Sequence, residues 1–281
     1  PMAASPTLDE LRREIDRIDD AMHDLIMQRA TLIERISAAK AAAGPSVFIR
    51  PGREAAIQRR LSGRHSGIFP RTALLRIWRE IINAFTALQG PFSVGATAPE
   101  AGRGFWDVAR DQFGSLVPMT AFPTPDLAVR AVADGGVTVA VVPWPQPDDL
   151  SPWWPMLLDE PGAPRIILRL PFAGRGNGRG ELRDALTVAR AEPEATGSDR
   201  SLIALDLKGT PDDLPAALRD CGLALTATLS DLAHSEGSLR LVEVDGFLAP
   251  GDERLAALGR RLGPALRRAV PLGGYPVPLS L

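Results

Sequence analysis

The longest stretch of the chain without glycine or proline is residues 7–43, and its apolar side chains recur mostly every three to four residues. These side chains are Leu8, Leu11, Ile15, Ile18, Met22, Leu25, Leu32 and Ile36. Thr7 followed by Glu10 is a capping-box pattern, so the sequence predicts one helix of about 35 residues, about 50 Å long. The two helical patterns that follow, Arg53 to Leu61 and Arg71 to Leu88, are too short to cover it. The helix therefore needs a partner, most simply a second copy of the chain.

Two cations, Arg29 and Lys40, interrupt this apolar stripe. Their spacing is three helical turns plus about 20°, so they share a face about 16 Å apart and could hold a small anion between them. A buried cation without an anionic partner is costly, although each side chain could instead place its charged end in water. Arg12 lies about 25 Å from Arg29 and is rotated by about 100°. It cannot reach the same ligand within one chain, but it could do so from an antiparallel partner.

Composition excludes several classes of protein. The 32 basic and 34 acidic residues provide no basic field for nucleic acid. The single cysteine, Cys221, rules out an internal disulfide framework, and three separated histidines lack metal-ligand spacing. No apolar run approaches the roughly 18 residues of a membrane span, and no signal-peptide pattern is present. We expect a cytoplasmic protein that contacts neither nucleic acid nor membrane.

Three segments differ in composition. Residues 7–90 are helical in pattern. Residues 91–197 alternate short Val- and Ala-rich runs with a helical stretch, and from residue 151 they become linker-like around one strand candidate, Ile166 to Leu170. Within that part, GRGNGRG is predicted to be a flexible loop rather than a nucleotide site. Trp153 and Trp154 are predicted to be either core packing or an exposed patch. Residues 198–281 have a second α/β pattern.

The helical segment resembles a known family in the order and spacing of its motifs. These motifs are LDELRREIDRID, LIMQRATLIERISAAK, FIRPGREAAI and IWREIINAFTALQ. Together they resemble the all-α class of chorismate mutases, which implies a three-helix chain that forms an intertwined homodimer. The resemblance implies a pocket formed by Arg29, Lys40, Arg50, Arg53, Glu54, Phe85 and Gln89, completed by Arg12 of the second copy.

The resemblance also implies the chemistry, an intramolecular Claisen rearrangement of chorismate to prephenate that needs no metal or cofactor. Arg12 and Arg29 would clamp the two carboxylates. Lys40 and Gln89 would donate to the ether oxygen, where charge grows in the transition state, and Glu54 would accept from the ring hydroxyl.

Two pocket positions depart from the family, and we expect different consequences. Arg50 stands where many members have aspartate, and because this position can contribute through its backbone, we expect the change to matter little. Phe85 stands where many have serine near the substrate, so we expect it to alter the contact with the ring carboxylate. Arg53, beside Glu54, is expected to add positive potential.

The remaining segments resemble the later parts of bifunctional chorismate mutase/prephenate dehydratases. FSVGATAPEAGRGFWDVARDQFG resembles the opening of a dehydratase lobe, and residues 198–276 resemble a βαββαβ ACT domain. The lobe is too short for a second half, and its strand lacks the family's Thr-Arg-Phe triplet. Asp212 and Asp213 replace the phenylalanine-binding Gly-Ala, which disfavours phenylalanine feedback. We therefore predict a vestigial lobe without dehydratase activity.

The predicted fold class is multidomain α and α+β. It consists of a three-helix mutase domain, a truncated α/β dehydratase-like lobe and a ferredoxin-like βαββαβ ACT-like domain. The predicted function is that of a chorismate mutase. Three alternatives stay open: a bifunctional mutase/dehydratase, a sensor or partner protein without catalysis, and an isochorismate pyruvate lyase.

Overall fold

A computed structural model describes residues 6–43, 48–99, 104–158, 162–176, 183–209, 211 and 213–281, and for residues 40–43 the backbone alone. Its first helices are α1 (Leu8–Ala43), α2 (Pro51–Arg64) and α3 (Arg71–Gln89). The prediction of one long helix followed by two shorter ones is confirmed. Helix α2 begins two residues before the predicted start and ends three residues after the predicted end, because Pro51 is well suited to the first helical turn.

The capping box of α1 is formed as the sequence predicts. The backbone N–H and the hydroxyl of Thr7 both donate to the Glu10 carboxylate, at 2.8 and 2.9 Å. The Glu10 backbone N–H donates to the Thr7 hydroxyl at 3.3 Å. These hydrogen bonds lower the pKa of Glu10 and fix where the helix begins.

The apolar stripe of α1 is largely uncovered in the single chain. Leu8 is 62% exposed, Ile18 52% and Leu25 63%. Within the part of the chain that the structure describes, α3 is the one element in substantial contact with α1, which leaves most of the stripe facing solvent. An apolar stripe of this length is typical of a surface that packs against another helix.

The rest of the chain is built on one nine-stranded sheet with the order β2-β1-β3-β5-β4-β9-β6-β8-β7. The first five strands are β1 (Val94–Thr97), β2 (Met119–Phe122), β3 (Val139–Pro143), β4 (Arg165–Leu170) and β5 (Ala185–Ala189). The last four are β6 (Asp199–Lys208), β7 (Leu225–His234), β8 (Gly237–Asp245) and β9 (Leu266–Pro276). Four helices connect strands of the sheet: α4 (Trp106–Phe113), α5 (Pro125–Ala133), α6 (Leu214–Asp220) and α7 (Glu253–Leu262).

The sheet continues across the predicted boundary at residue 197. Strand β4 pairs with β9 in parallel, with Ile166 opposite Gly273. A Cβ at position 273 would lie 2.2 Å from the Ile166 carbonyl oxygen, and the φ angle of Gly273 is 118°, so this close approach requires glycine. The last four strands alternate with α6 and α7 in the order βαββαβ.

Residues 151–198 are not a simple linker, which corrects the interpretation of their composition. They include β4 and also β5, every residue of which is buried between neighbouring strands. Trp153 and Trp154 are 2% and 0% exposed, so these rings are core packing and not a surface patch. In GRGNGRG, residues 177–180 lie outside the described residues.

Helix α3 is attached to α4 by polar contacts. The Asn83 side-chain amide donates to the Gln112 carbonyl oxygen at 2.9 Å, and the Glu80 carboxylate accepts the Ser115 backbone N–H at 3.0 Å. These contacts connect the helical region to the sheet layer. Among the described residues, no helix has the length and apolar character needed to cross a membrane.

Candidate functional site

A cavity of about 340 Å³ lies between α1, α2 and α3, and we call it the helical cavity. It is lined by Arg29, Leu32, Ile33, Ile36, Phe48, Arg50, Arg53, Glu54, Ile57, Ile82, Phe85, Thr86 and Gln89. Six of the eight predicted site residues are in this set: Arg29, Arg50, Arg53, Glu54, Phe85 and Gln89. The structure therefore brings together residues that are up to 60 positions apart in the sequence.

Helical spacing explains why these side chains converge. Helix α1 contributes residues 29, 32, 33 and 36, and α3 contributes residues 82, 85, 86 and 89. Both sets follow the i, i+3, i+4, i+7 pattern that places side chains on one helical face. The first turns of α2 close the cavity with the polar residues Arg53 and Glu54.

Arg29 is a partly desolvated cation in this cavity. Its Nη1 atom is buried and has no hydrogen-bond partner among the described residues. Burial lowers the pKa of Arg29, and the charge of Arg53 lowers it further. Both effects disfavour the cation, so a bound anion would relieve them.

The aromatic ring of Phe85 lies against the Arg29 guanidinium. The guanidinium carbon lies 4.4 Å from the centre of the Phe85 ring, which is cation–π geometry. Phe85 is 6% exposed and packed in the core. The ring therefore occupies the place where the resemblance leads us to expect a small polar side chain, and it positions a cation there.

The Glu54 carboxyl has an unusual proton affinity. Burial raises its pKa from 4.5 to about 7. At neutral pH the carboxyl therefore exists in both protonation states in comparable amounts. Such a group can accept a hydrogen bond from a ligand hydroxyl most strongly when it is ionised.

Arg50 lines the cavity, and its side chain forms an ion pair outside the helical region. Its Nε and Nη2 atoms donate to one oxygen of Glu194 at 2.9 and 2.8 Å. Glu194 lies in the loop between β5 and β6 and was not predicted as part of the site. No local pattern could have indicated it, because the two partners are 144 positions apart in the sequence.

Two predicted site residues are not placed in the helical cavity. Arg12 is exposed on α1 and forms an ion pair with Asp9 at 3.4 Å, far from Arg29 along the helix. The side chain of Lys40 lies outside the described residues, although its backbone continues α1. Gln89 lines the cavity, and its side-chain amide donates to the Phe85 carbonyl oxygen at 3.2 Å.

Of the two aspartates predicted to disfavour phenylalanine binding, one lies within the described residues. Asp213 precedes α6 and forms an ion pair with Arg261 at 3.2 Å, whereas Asp212 lies outside the described residues. The carboxylate of Asp213 therefore has a structural partner on α7.

Comparison with known families identifies the helical region. Residues 11–90 match the family model described as "Chorismate mutase type II". The N-terminal helical region is a chorismate mutase domain. The matched range spans the three helices that enclose the cavity, so the mutase domain and the cavity coincide.

Curated relatives extend the similarity beyond the mutase domain. The chain is 32% identical over 146 residues to a bifunctional chorismate mutase/prephenate dehydratase of Stutzerimonas stutzeri, covering 50% of this chain and 40% of the relative. It is 38% identical over 98 residues to the protein of the same name from Aquifex aeolicus (strain VF5), covering 34% of this chain and 27% of the relative. The chain thus spans less than half the length of the curated relatives it matches. Because 146 residues exceed the mutase domain, the first alignment continues into the sheet.

A solved structure shows a weaker likeness. The prephenate dehydratase of Streptococcus mutans is 14% identical, with a TM-score of 0.44, covering 66% of this chain and 98% of its own. At that score the likeness carries no structural conclusion.

Proposed function

We propose that the helical cavity is the active site of a chorismate mutase that converts chorismate to prephenate. The observation that carries the proposal is the Arg29 guanidinium, which is partly buried and has an unpartnered Nη1 inside a family-matched cavity. The volume of the helical cavity, about 340 Å³, suits a small organic ligand. Arg50 and Arg53 add positive charge at the same cavity, which favours a dianion.

The reaction is a rearrangement within one molecule, so the site has to select a compact conformer and stabilise the charge that develops. In this proposal Arg29 binds one carboxylate, and Gln89 and Lys40 donate to the ether oxygen. Glu54 accepts from the ring hydroxyl. The hydrogen bonds to the ether oxygen strengthen as its bond to carbon breaks, so they lower the barrier rather than only hold the substrate.

We propose that the site is completed in a homodimer. The exposed stripe on α1, from Leu8 to Ile36, supports a second copy packing along it. Arg12 is about 25 Å from Arg29 along one helix, too far to share a small ligand. In an antiparallel pair of α1 helices, Arg12 of the second copy would reach the cavity and bind the second carboxylate.

We expect the purified full chain to convert chorismate to prephenate without added metal or cofactor. The measurement is the loss of chorismate absorbance together with detection of prephenate. The same assay with isochorismate tests the lyase alternative, because pyruvate would appear instead. A chain that binds chorismate without turning it over would contradict the mutase proposal and favour a sensor.

A second function, prephenate dehydratase activity, is favoured by the names of the curated relatives. We propose that this chain lacks it, because the lobe built on β1 to β5 is short and its β4 strand lacks the family's Thr-Arg-Phe triplet. Phenylpyruvate formed from added prephenate would contradict this.

We expect kcat/KM for chorismate to rise about tenfold between pH 6 and pH 8. The rise is expected because burial raises the pKa of Glu54 to about 7. Above that pH the carboxyl is mostly ionised and is the stronger hydrogen-bond acceptor. Glu54→Gln should abolish the rise and keep the low-pH value throughout. Glu34→Gln, on an exposed part of α1, is the control and should keep the wild-type profile. A profile that falls with pH would mean that the neutral acid is the active form.

A further inference from the structure

The contact between Arg50 and Glu194 joins the helical cavity to the sheet. Arg50 is the residue before α2 and lines the cavity, while Glu194 follows β5. Both side chains are partly exposed, at 49% and 38%. An ion pair this exposed contributes little to the free energy of unfolding, so the contact is better explained by what it does to Arg50.

The backbone around the contact is tightly packed. A Cβ at Gly52 would lie 3.0 Å from the Glu194 Cβ and 3.2 Å from the Thr196 Cγ2. The start of α2 therefore lies directly against the loop between β5 and β6. Glycine at position 52 lets the two backbones approach closely enough for Arg50 to reach Glu194.

The loop that carries Glu194 is itself fixed to the sheet. Asp199, the first residue of β6, is 5% exposed and accepts hydrogen bonds from the Thr196 hydroxyl at 2.6 Å and the Gly197 N–H at 3.1 Å. From α2, Arg59 donates to the Thr196 hydroxyl at 2.7 Å and to the Ser198 carbonyl oxygen at 2.9 Å. Glu194 is thus held at a defined place relative to α2.

Holding Arg50 changes how the cavity can bind an anion. A free arginine side chain loses rotamer freedom when a ligand orders it, which weakens binding. Glu194 has already ordered Arg50 through Nε and Nη2, and Nη1 lies outside this pair of hydrogen bonds. Arg50, which lines the cavity together with Arg29 and Arg53, therefore has an ordered side chain before substrate arrives.

We propose that Glu194 is a positioning residue for substrate binding: it holds Arg50 at the rim of the helical cavity, so that the sheet supplies part of the mutase domain's affinity for its dianionic substrate. This inference rests on the proposed function. It predicts a defect in binding rather than in the chemical step, because Glu194 acts through Arg50 and does not touch the reacting atoms.

The test compares full-length Glu194→Gln with Glu192→Gln. Glu192 lies in the same loop, but its ion pair is with Arg165 at 3.8 Å and not with α2. We expect Glu194→Gln to raise KM for chorismate roughly three- to tenfold with kcat unchanged, and Glu192→Gln to change neither. Circular dichroism and the melting temperature check that both variants fold as the wild type does.

A double substitution separates positioning from packing. In an Arg50→Gln background, Glu194→Gln should have no further effect on KM, because the residue it positions is gone. An equal effect of Glu194→Gln in both backgrounds, or no effect in either, would overturn the proposal.

Failure of the proposed function would be seen separately, as absent turnover by the wild-type chain. The inference is then tested by calorimetric titration of chorismate into the wild type and Glu194→Gln. Weaker binding by the variant would support it. Equal binding, or none by the wild type, would overturn it.

Discussion

Arg29→Met is expected to lower kcat/KM for chorismate by at least about a hundredfold, the largest single loss among the described cavity residues. Methionine keeps most of the apolar stem that packs in the stripe and removes the guanidinium. The lost group is the partly buried cation with an unpartnered Nη1, stacked 4.4 Å from the Phe85 ring. Steady-state kinetics with chorismate measures the effect.

Arg35→Met is the matched control on the same helix. Arg35 is exposed on α1 and is not part of the cavity lining, so its loss should leave kcat/KM within about twofold of the wild type. Partial burial and the charge of Arg53 disfavour the Arg29 cation, so Arg29→Met should not lower the melting temperature. Equal losses in both variants would mean that overall charge on α1, and not a particular anion site, controls activity.

The helical part of the fold could be predicted because its signals are local. The Thr7 and Glu10 capping box, the apolar stripe and the absence of glycine define α1 within a window of the sequence. The same local periodicity explains why residues 29 to 36 and 82 to 89 face one cavity. Where a helix face alone determines the neighbours, spacing is enough to predict them.

The sheet could be predicted less well because its contacts are distant in sequence. Strand β5 has five residues and lies between segments rich in glycine, proline and charge, so composition suggested a linker there. Its identity comes from pairing with β3 and β4, which a window of the sequence does not contain. The junction at Gly273 likewise depends on Ile166 of β4, over 100 residues earlier.

The site also combines residues that local patterns indicate with contacts between distant parts of the sequence. Arg29, Glu54 and Gln89 could be predicted from helical spacing and a family resemblance. The contact between Arg50 and Glu194 could not, because Glu194 lies in a distant loop of the sheet. The sequence predicts that Phe85 alters a substrate contact, and the structure adds that its ring lies against the Arg29 guanidinium, a contact that local spacing does not reveal.

Arg12→Ala is expected to lose activity as severely as Arg29→Ala, and mixing the two inactive chains is expected to restore it. Arg12 is exposed on α1 and lies about 25 Å from Arg29, so it can act only on the cavity of another copy. In a mixed dimer, the chain with intact Arg29 receives intact Arg12 from its partner, and the other site lacks both. Random pairing of equal amounts should therefore give about a quarter of wild-type activity.

Arg13→Ala is the control for Arg12→Ala, since Arg13 is rotated by about 100° around α1 and should be dispensable. Sedimentation should show that all of these variants are dimers, so that loss and recovery reflect the site rather than assembly. Recovery depends on Arg12 crossing between chains: were it to serve its own chain, the mixed dimer would contain two defective sites and stay inactive. Absent recovery in a demonstrated mixed dimer would therefore remove the shared site from the proposal while leaving the Arg29 cavity in place.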